Sequence, residues 1–229
     1  MSHRADTLPS MTHASAPPGT TRLLVVRHGR SVWNSQGRWQ GHADIPLDDE
    51  GMQQAVIAAE VLGAFDAVWA SDLQRATLTA QIIAELHGIG PVLIDPRLRE
   101  TDVGPWEGLR AHEVEAGWPG FLAAKQRPEG FEPYPDAAAR VLAALVDIAA
   151  QHRGGEVLVV SHGGVIRAVR RALDSADPHM PNLSGSWFSV DASGRVSAGE
   201  VVELVTSLAG NDPPRPGTPP PSESSQEVS

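Results

Sequence analysis

Two histidines that close apolar runs are the residues best placed to do chemistry. His28 follows Leu23-Leu24-Val25-Val26-Arg27 and precedes Gly29, and His162 follows Val157-Leu158-Val159-Val160-Ser161 and precedes Gly163-Gly164. A continuous β-branched run reads as a central strand buried on both faces. A glycine just past its end lets the chain turn, so that neighbouring N–H groups converge on an anion. A neutral imidazole is a competent nucleophile near neutral pH. Two strand-end histidines in one domain point to a single site, with a nucleophile facing a bound oxyanion.

The elements that must position these residues alternate between strand and helix. Strands are expected at Leu23 to Arg27, Ala67 to Ala70, Val92 to Ile94 and Val157 to Ser161, and helices at Asp49 to Leu62, Arg75 to Leu86, Pro135 to Gln151 and Gly164 to Leu173. Asp48 is the natural N-cap of the first helix and Gly63 its stop, while Gly88 closes the second. Ser186 to Val190 and Val201 to Val205 read as later strands, joined through the Ser193-Gly194 turn and a bend at Ala198-Gly199. The pattern predicts an α/β domain, a mostly parallel sheet with helices on both faces. His28, Arg75, Glu100 and His162 then all lie just beyond carboxyl ends of strands, where open α/β sheets form their ligand crevices.

Bulk properties narrow the partners. A chain of 229 residues with 41% hydrophobic content buries one substantial core. Net charge of −10 disfavours nucleic acid and anionic membranes, and cysteines are absent, which excludes disulfides, thiolate metal sites and cysteine nucleophiles. With no apolar stretch of membrane-spanning length and no hydrophobic segment in Met1 to Thr20, a cytoplasmic protein is expected. Residues 1–20 and 209–229 are rich in Pro, Ser and other small or polar residues and are expected to be disordered, flanking a domain at 21–208. Lys125 is the only lysine, a bias best explained by nucleotide composition.

Four segments together resemble the histidine phosphatase superfamily, the phosphoglycerate mutase-like fold. They are Arg27-His28-Gly29 with Asn34 and Gln40-Gly41; Ser71-Asp72-Leu73-Gln74-Arg75-Ala76; Leu98-Arg99-Glu100-Thr101-Asp102-Val103-Gly104-Pro105-Trp106-Glu107-Gly108; and Ser161-His162-Gly163. The resemblance spans about Arg22 to Val205 and implies a three-layer α/β/α fold. It also implies roles: His28 as nucleophile, a phosphate pocket from Arg27, Arg75, His162 and Gly163 with Asn34 nearby, Glu100 as acid, and Gln40 and Gly41 near the substrate. The chemistry of these side chains agrees. Phosphoryl transfer needs an in-line nucleophile, cations around the equatorial oxygens and an acid for the leaving oxygen. Arg27 and Arg75 offer planar forks that match two phosphate oxygens, and His162, protonated against the phosphate, adds a donor opposite His28.

The expectation is therefore a metal-independent phosphomonoesterase that hydrolyses a small phosphorylated metabolite through phosphohistidine, with no cofactor. Arginines beside the histidines argue against a divalent metal. A cofactor-dependent phosphoglycerate mutase is the alternative. Mutases of this type usually carry Thr-Gly in place of Gln40-Gly41, Asn in place of Gly164, and a longer lid with a basic pair, so all three features favour hydrolysis. A catalytically dead binding module is a further alternative, opposed by the intact His28, Arg75, Glu100 and His162. Arg75 paired with Asp72, Arg99 as an ion-pair residue and Arg30 as a rim or solvated residue are the competing structural readings. His3, His13, His42, His87, His112, His152 and His179 are expected to be structural or exposed. The resemblance implies that residues 105–135 form an insertion that covers the site as a lid and helps choose the substrate. Trp106 is expected to pack and Trp118, Phe121, Phe131 and Tyr134 are open to lining it, while Glu132 departs from the family's usual Gly-Glu-Ser by its Phe131 and Pro133 neighbours, with Asp136 and Arg140 spaced as in the family.

Overall fold

The computed structural model describes residues 19–205, so the tails expected to be disordered lie, apart from residues 19 and 20, outside the described residues. Six strands form one sheet: β1 (Thr21–Arg27), β2 (Ala67–Ala70), β3 (Leu93–Ile94), β4 (Glu156–Ser161), β5 (Ser184–Val190) and β6 (Val196–Glu203). Their spatial order is β3-β2-β4-β1-β5-β6. The first four run parallel, whereas β5 pairs antiparallel with both β1 and β6. Helices are α1 (Val32–Ser35), α2 (Asp49–Val61), α3 (Gln74–His87), α4 (Ala111–Gly117), α5 (Tyr134–Gln151) and α6 (Gly163–Ala172).

The period-2 alternation of strand side chains divides the apolar runs between two cores. Leu23, Val25, Val157 and Val159 face α5 and α6, whose Val141, Leu145, Ile148, Val165 and Val169 complete one layer. Leu24, Val26, Leu158 and Val160 face α2 and α3, against Ala58, Ala76, Ala80 and Ile83. Each large aliphatic side chain so buried contributes roughly 1.5–3 kcal/mol, which is why β1 and β4 read as unbroken hydrophobic runs.

This arrangement creates the crevice. The chain leaves β1 toward α2 on one face and leaves β4 toward α6 on the other, although β1 and β4 are neighbours, and ligand crevices open where helices diverge in this way. The register Arg27↔Ser161 sets His28 and His162 next to each other just past the last pair. Two glycines bring α2 close: a Cβ on Gly29 would stand 2.5 Å from the Gly51 carbonyl oxygen. Asp48 caps α2 by accepting the Gly51 N–H at 2.8 Å, and Gly88 ends α3 with φ +64°, both as the sequence predicts.

One strand differs from its sequence reading. β6 begins at Val196, so Ala198-Gly199 lies inside the strand and is no bend between strands. Gly199 packs on Trp187 of β5, where a Cβ would come within 3.2 Å of the Trp187 Cβ, and the pairing shifts register between Ser186 and Phe188. A glycine within a strand marks such a close approach, and a turn-rich reading of the sequence mistakes it for a break.

Candidate active site

His28 and His162 stand with ring centroids 5.1 Å apart at an interplanar angle of 63°, and both are buried. The His28 backbone N–H donates to the Ser161 carbonyl at 3.0 Å, which ties the end of β1 to the end of β4. Nδ1 of His28 lies 2.6 Å from the carbonyl oxygen of Gly29. A carbonyl only accepts, so Nδ1 carries the proton and Nε2 holds the free lone pair. Burial, reinforced by the Arg75 and Arg27 charges, holds His28 well below the ordinary imidazole range and therefore neutral. His162 is held low by burial first and then by Arg75, and neither of its ring nitrogens has a hydrogen-bond partner. Desolvation and the neighbouring arginines both disfavour the His162 cation, so the expected protonation of His162 depends on the phosphate it would face.

Arg75 opens α3 and is fully buried. Its guanidinium donates to the carbonyls of Ala43 at 2.7 Å and Gly41 at 2.9 Å, while Nε is without a partner. Burial lowers its pKa to about 10, opposed by the charges of Glu100, Asp44 and Glu107, so it remains a cation at neutral pH. The pairing with Asp72 does not occur. Asp72 is bound instead by both ends of the Arg99 fork, which makes Arg99 the ion-pair residue anticipated. Glu107 holds the loop around Arg75 by accepting the Ala43 N–H at 2.6 Å. Arg27 donates from Nη1 to the Met180 carbonyl at 2.7 Å, and a Cβ on Gly163 would stand 3.1 Å from the Arg27 Cδ.

Glu100 reaches the start of α6. Its carboxylate accepts the N–H groups of Gly164 at 3.0 Å, Val165 at 3.1 Å and Thr101 at 2.8 Å. Helix-start donors suit a carboxylate both by hydrogen bonding and by the helix dipole. Arg140 braces the loop beneath it, donating to the carbonyls of Arg97, Arg99 and Glu100 and forming a bidentate pair with Glu132. Sequence spacing marks Glu132 and Arg140, but their action on Glu100 emerges only from the fold.

Asn34 caps its own turn: its Oδ1 accepts the Ser31 N–H at 3.2 Å, and the Ser31 Oγ lies 2.7 Å from the Gln40 Oε1. Asn182, which no motif signals, donates from Nδ2 to the His28 carbonyl at 2.9 Å and to the Asn34 Oδ1 at 3.3 Å. His42 sits 2.8 Å from the Glu100 carbonyl oxygen through Nε2, a structural contact. Arg30 pairs with Asp48 and Glu50 and is therefore tied to the start of α2 rather than free in solvent. The aromatics of residues 105–135 pack mainly on each other. Val103, Trp106, Val114 and Phe131 form a small core with Trp118, Phe121 and Tyr134 against it, and Arg127 covers the Trp106, Phe131 and Tyr134 rings. Among the described residues no group of three or more His, Asp or Glu side chains is arranged to hold a metal ion.

Comparison with known proteins agrees with this geometry. The family model of the histidine phosphatase superfamily (branch 1) matches residues 23–197. The metal-independent phosphoserine phosphatase of Arabidopsis thaliana is 38% identical over 159 residues, covering 65% of this chain and 67% of that protein. A glucosyl-3-phosphoglycerate phosphatase of Mycolicibacterium vanbaalenii is 39% identical over 166 residues, covering 66% and 73%. The solved structure of a mycobacterial glucosyl-3-phosphoglycerate phosphatase complexed with VO3 superposes with a TM-score of 0.70 at 34% identity, covering 77% of this chain and 96% of that one. Proteins named as phosphoglycerate mutases also match, at 33% identity. With a six-stranded three-layer sheet, a paired histidine crevice and a family match over most of its length, the chain belongs to the histidine phosphatase superfamily, branch 1.

Proposed function

We propose that this protein hydrolyses small phosphomonoesters through a phosphohistidine formed on His28. The observation that carries the reading is the neutral, buried His28, whose Nδ1–H is committed to the Gly29 carbonyl so that Nε2 is the nucleophile. In the first step the Nε2 lone pair attacks phosphorus, the P–O bond to the leaving group breaks, and Glu100, entering the step protonated, gives its proton to the departing oxygen and is left as the carboxylate. Arg27, Arg75, Asn34 and the Gly163 amide surround the equatorial oxygens. An anion among these arginines reverses the sign of the local field, which favours protonating His162 and turns it into a donor. In the second step Glu100 takes a proton from water, the water oxygen attacks phosphorus, and phosphate leaves with His28 restored.

The phosphatase reading is preferred to the mutase on the relatives named as phosphatases and on Gly164, whose Cα lies against the Glu100 carboxylate. No helix of the described residues is long and apolar enough to cross a membrane. A cytoplasmic setting and a domain at 21–208 are part of the proposal, the domain supported by the family match over residues 23–197. Phosphoserine and glucosyl-3-phosphoglycerate, the substrates named for relatives, are the first compounds to try. The test is rapid quenching in base after mixing with a ³²P-labelled substrate from this pair or a panel of sugar phosphates. Acid-labile, base-stable label on His28, lost in His28→Ala, is expected. Label on Ser31 or Ser161 overturns the mechanism.

A further inference from the structure

We propose that Asn182 is a positioning residue that sets the orientation of the Asn34 amide toward the phosphoryl group. This rests on the phosphohistidine reading above, in which Asn34 is a phosphate ligand. Amide orientation is decided by neighbours that can play only one role. The Ser31 backbone N–H can only donate, so the atom 3.2 Å from it is the Asn34 oxygen. The His28 carbonyl can only accept, so the atom 2.9 Å from it is the Asn182 nitrogen. The remaining contact, Asn182 Nδ2 to Asn34 Oδ1 at 3.3 Å, is then necessarily donor to acceptor. Asn34 Oδ1 thereby takes two donors, which fills its lone pairs and turns both hydrogens of its Nδ2 away from them. A flipped Asn34 would set its nitrogen against two donors at once.

The turn carrying Asn182 is fixed to the site. Leu183 donates its N–H to the Arg27 carbonyl at 3.1 Å and adopts φ +53°, a conformation rarely taken by a branched side chain. Leu204 donates in turn to the Leu183 carbonyl at 3.0 Å, and Asn182 itself is 8% exposed. A turn held through both the N–H and the carbonyl of its strained Leu183 delivers one buried amide to two carbonyl-type oxygens of the active-site loop. This commits a side chain 148 positions from Asn34 to that residue's orientation.

The test is a double-mutant cycle on the full chain with p-nitrophenyl phosphate as substrate and vanadate as the phosphoryl mimic. Asn182→Ala is expected to lower kcat/KM and weaken vanadate inhibition together by about ten- to a hundredfold, the scale of a hydrogen bond to a charged group. Asn34→Ala should lose a similar factor, and the double variant should fall no further than the larger single loss. Asn182→Asp, which keeps shape but sets oxygen against oxygen, should act in the same direction. Thermal melting establishes that each variant is folded. Losses that multiply in the double variant, or unchanged vanadate inhibition in a folded Asn182 variant, overturn the inference. Label trapping at His28 in the unmodified enzyme is measured alongside. Its absence sinks the phosphohistidine reading, whereas its presence with an inert Asn182 sinks only this one.

Discussion

The Glu100 carboxylate lies against the bare Cα of Gly164: it accepts that residue's N–H at 3.0 Å, and a Cβ there would stand 2.9 Å from the Glu100 Cδ. In its present place Glu100 leaves no room for a side chain on residue 164. Gly164→Ala and Gly164→Asn are therefore expected to expel Glu100 while leaving α6 folded. Proton transfer by a positioned side chain is typically worth about 10² to 10⁴ in rate, so alkyl phosphates should slow on that scale and aryl phosphates much less. Turnover of both substrate types by the two variants, beside Glu100→Gln, checks this. Equal losses on both would move the acid elsewhere.

Arg140 offers a second way to disturb the same carboxylate. Its fork satisfies three backbone carbonyls and the Glu132 carboxylate, which a lysine cannot do from one ammonium. Arg140→Lys should lower kcat for alkyl phosphates and reduce stability by about 1–3 kcal/mol, the cost of polar groups left unpaired. Urea unfolding and steady-state kinetics read the two effects, and Glu132→Gln should reproduce the stability loss with a smaller effect on rate.

The pH dependence follows from two histidines held neutral by burial. Their folded pKa values lie well below the ordinary 6.5 or so, so the unfolded chain binds more protons once pH falls below that value. Stability is full above about pH 6.5 and declines below it, by about 1.4 kcal/mol per pH unit for each histidine until the folded value is reached. Chemical unfolding between pH 7 and 5 should show a slope near that of two groups, halved in His162→Phe. Activity has the opposite tolerance: His28 stays neutral, so kcat/KM should persist to pH values where an exposed imidazole is already protonated.

Hydrolysis should dominate transfer. With 3-phosphoglycerate and catalytic 2,3-bisphosphoglycerate, phosphate release is expected to outpace formation of 2-phosphoglycerate, or both compounds to be ignored. The segment at 105–135 uses its aromatics for its own core, and its Arg127 lies over those rings rather than in a basic pair. Coupled assays for the two products on one sample decide it. Rapid isomerisation without phosphate release would make the enzyme a mutase.

Much of this was legible in the residues themselves. The β1 and β4 runs, the Asp48 cap and the Gly88 stop act over a few positions, so sequence alone determined the strands that lead into His28 and His162 and the helix that begins around Arg75. The His-Gly contexts at 28 and 162 and the Arg75 and Glu100 segments likewise marked the candidate residues before any contact was known. What tertiary structure alone decided are relationships between distant segments. Asn182 on Asn34, Arg140 under Glu100, Glu107 behind the Arg75 loop and Glu100 against Gly164 all join loops brought together by the sheet. The lowered pKa of His162 was also beyond the sequence, because it depends on burial and on Arg75 arriving from another strand end. Local sequence encodes propensity and capping over a few residues, whereas desolvation and side-chain pairing are set by whichever segments the sheet order makes neighbours.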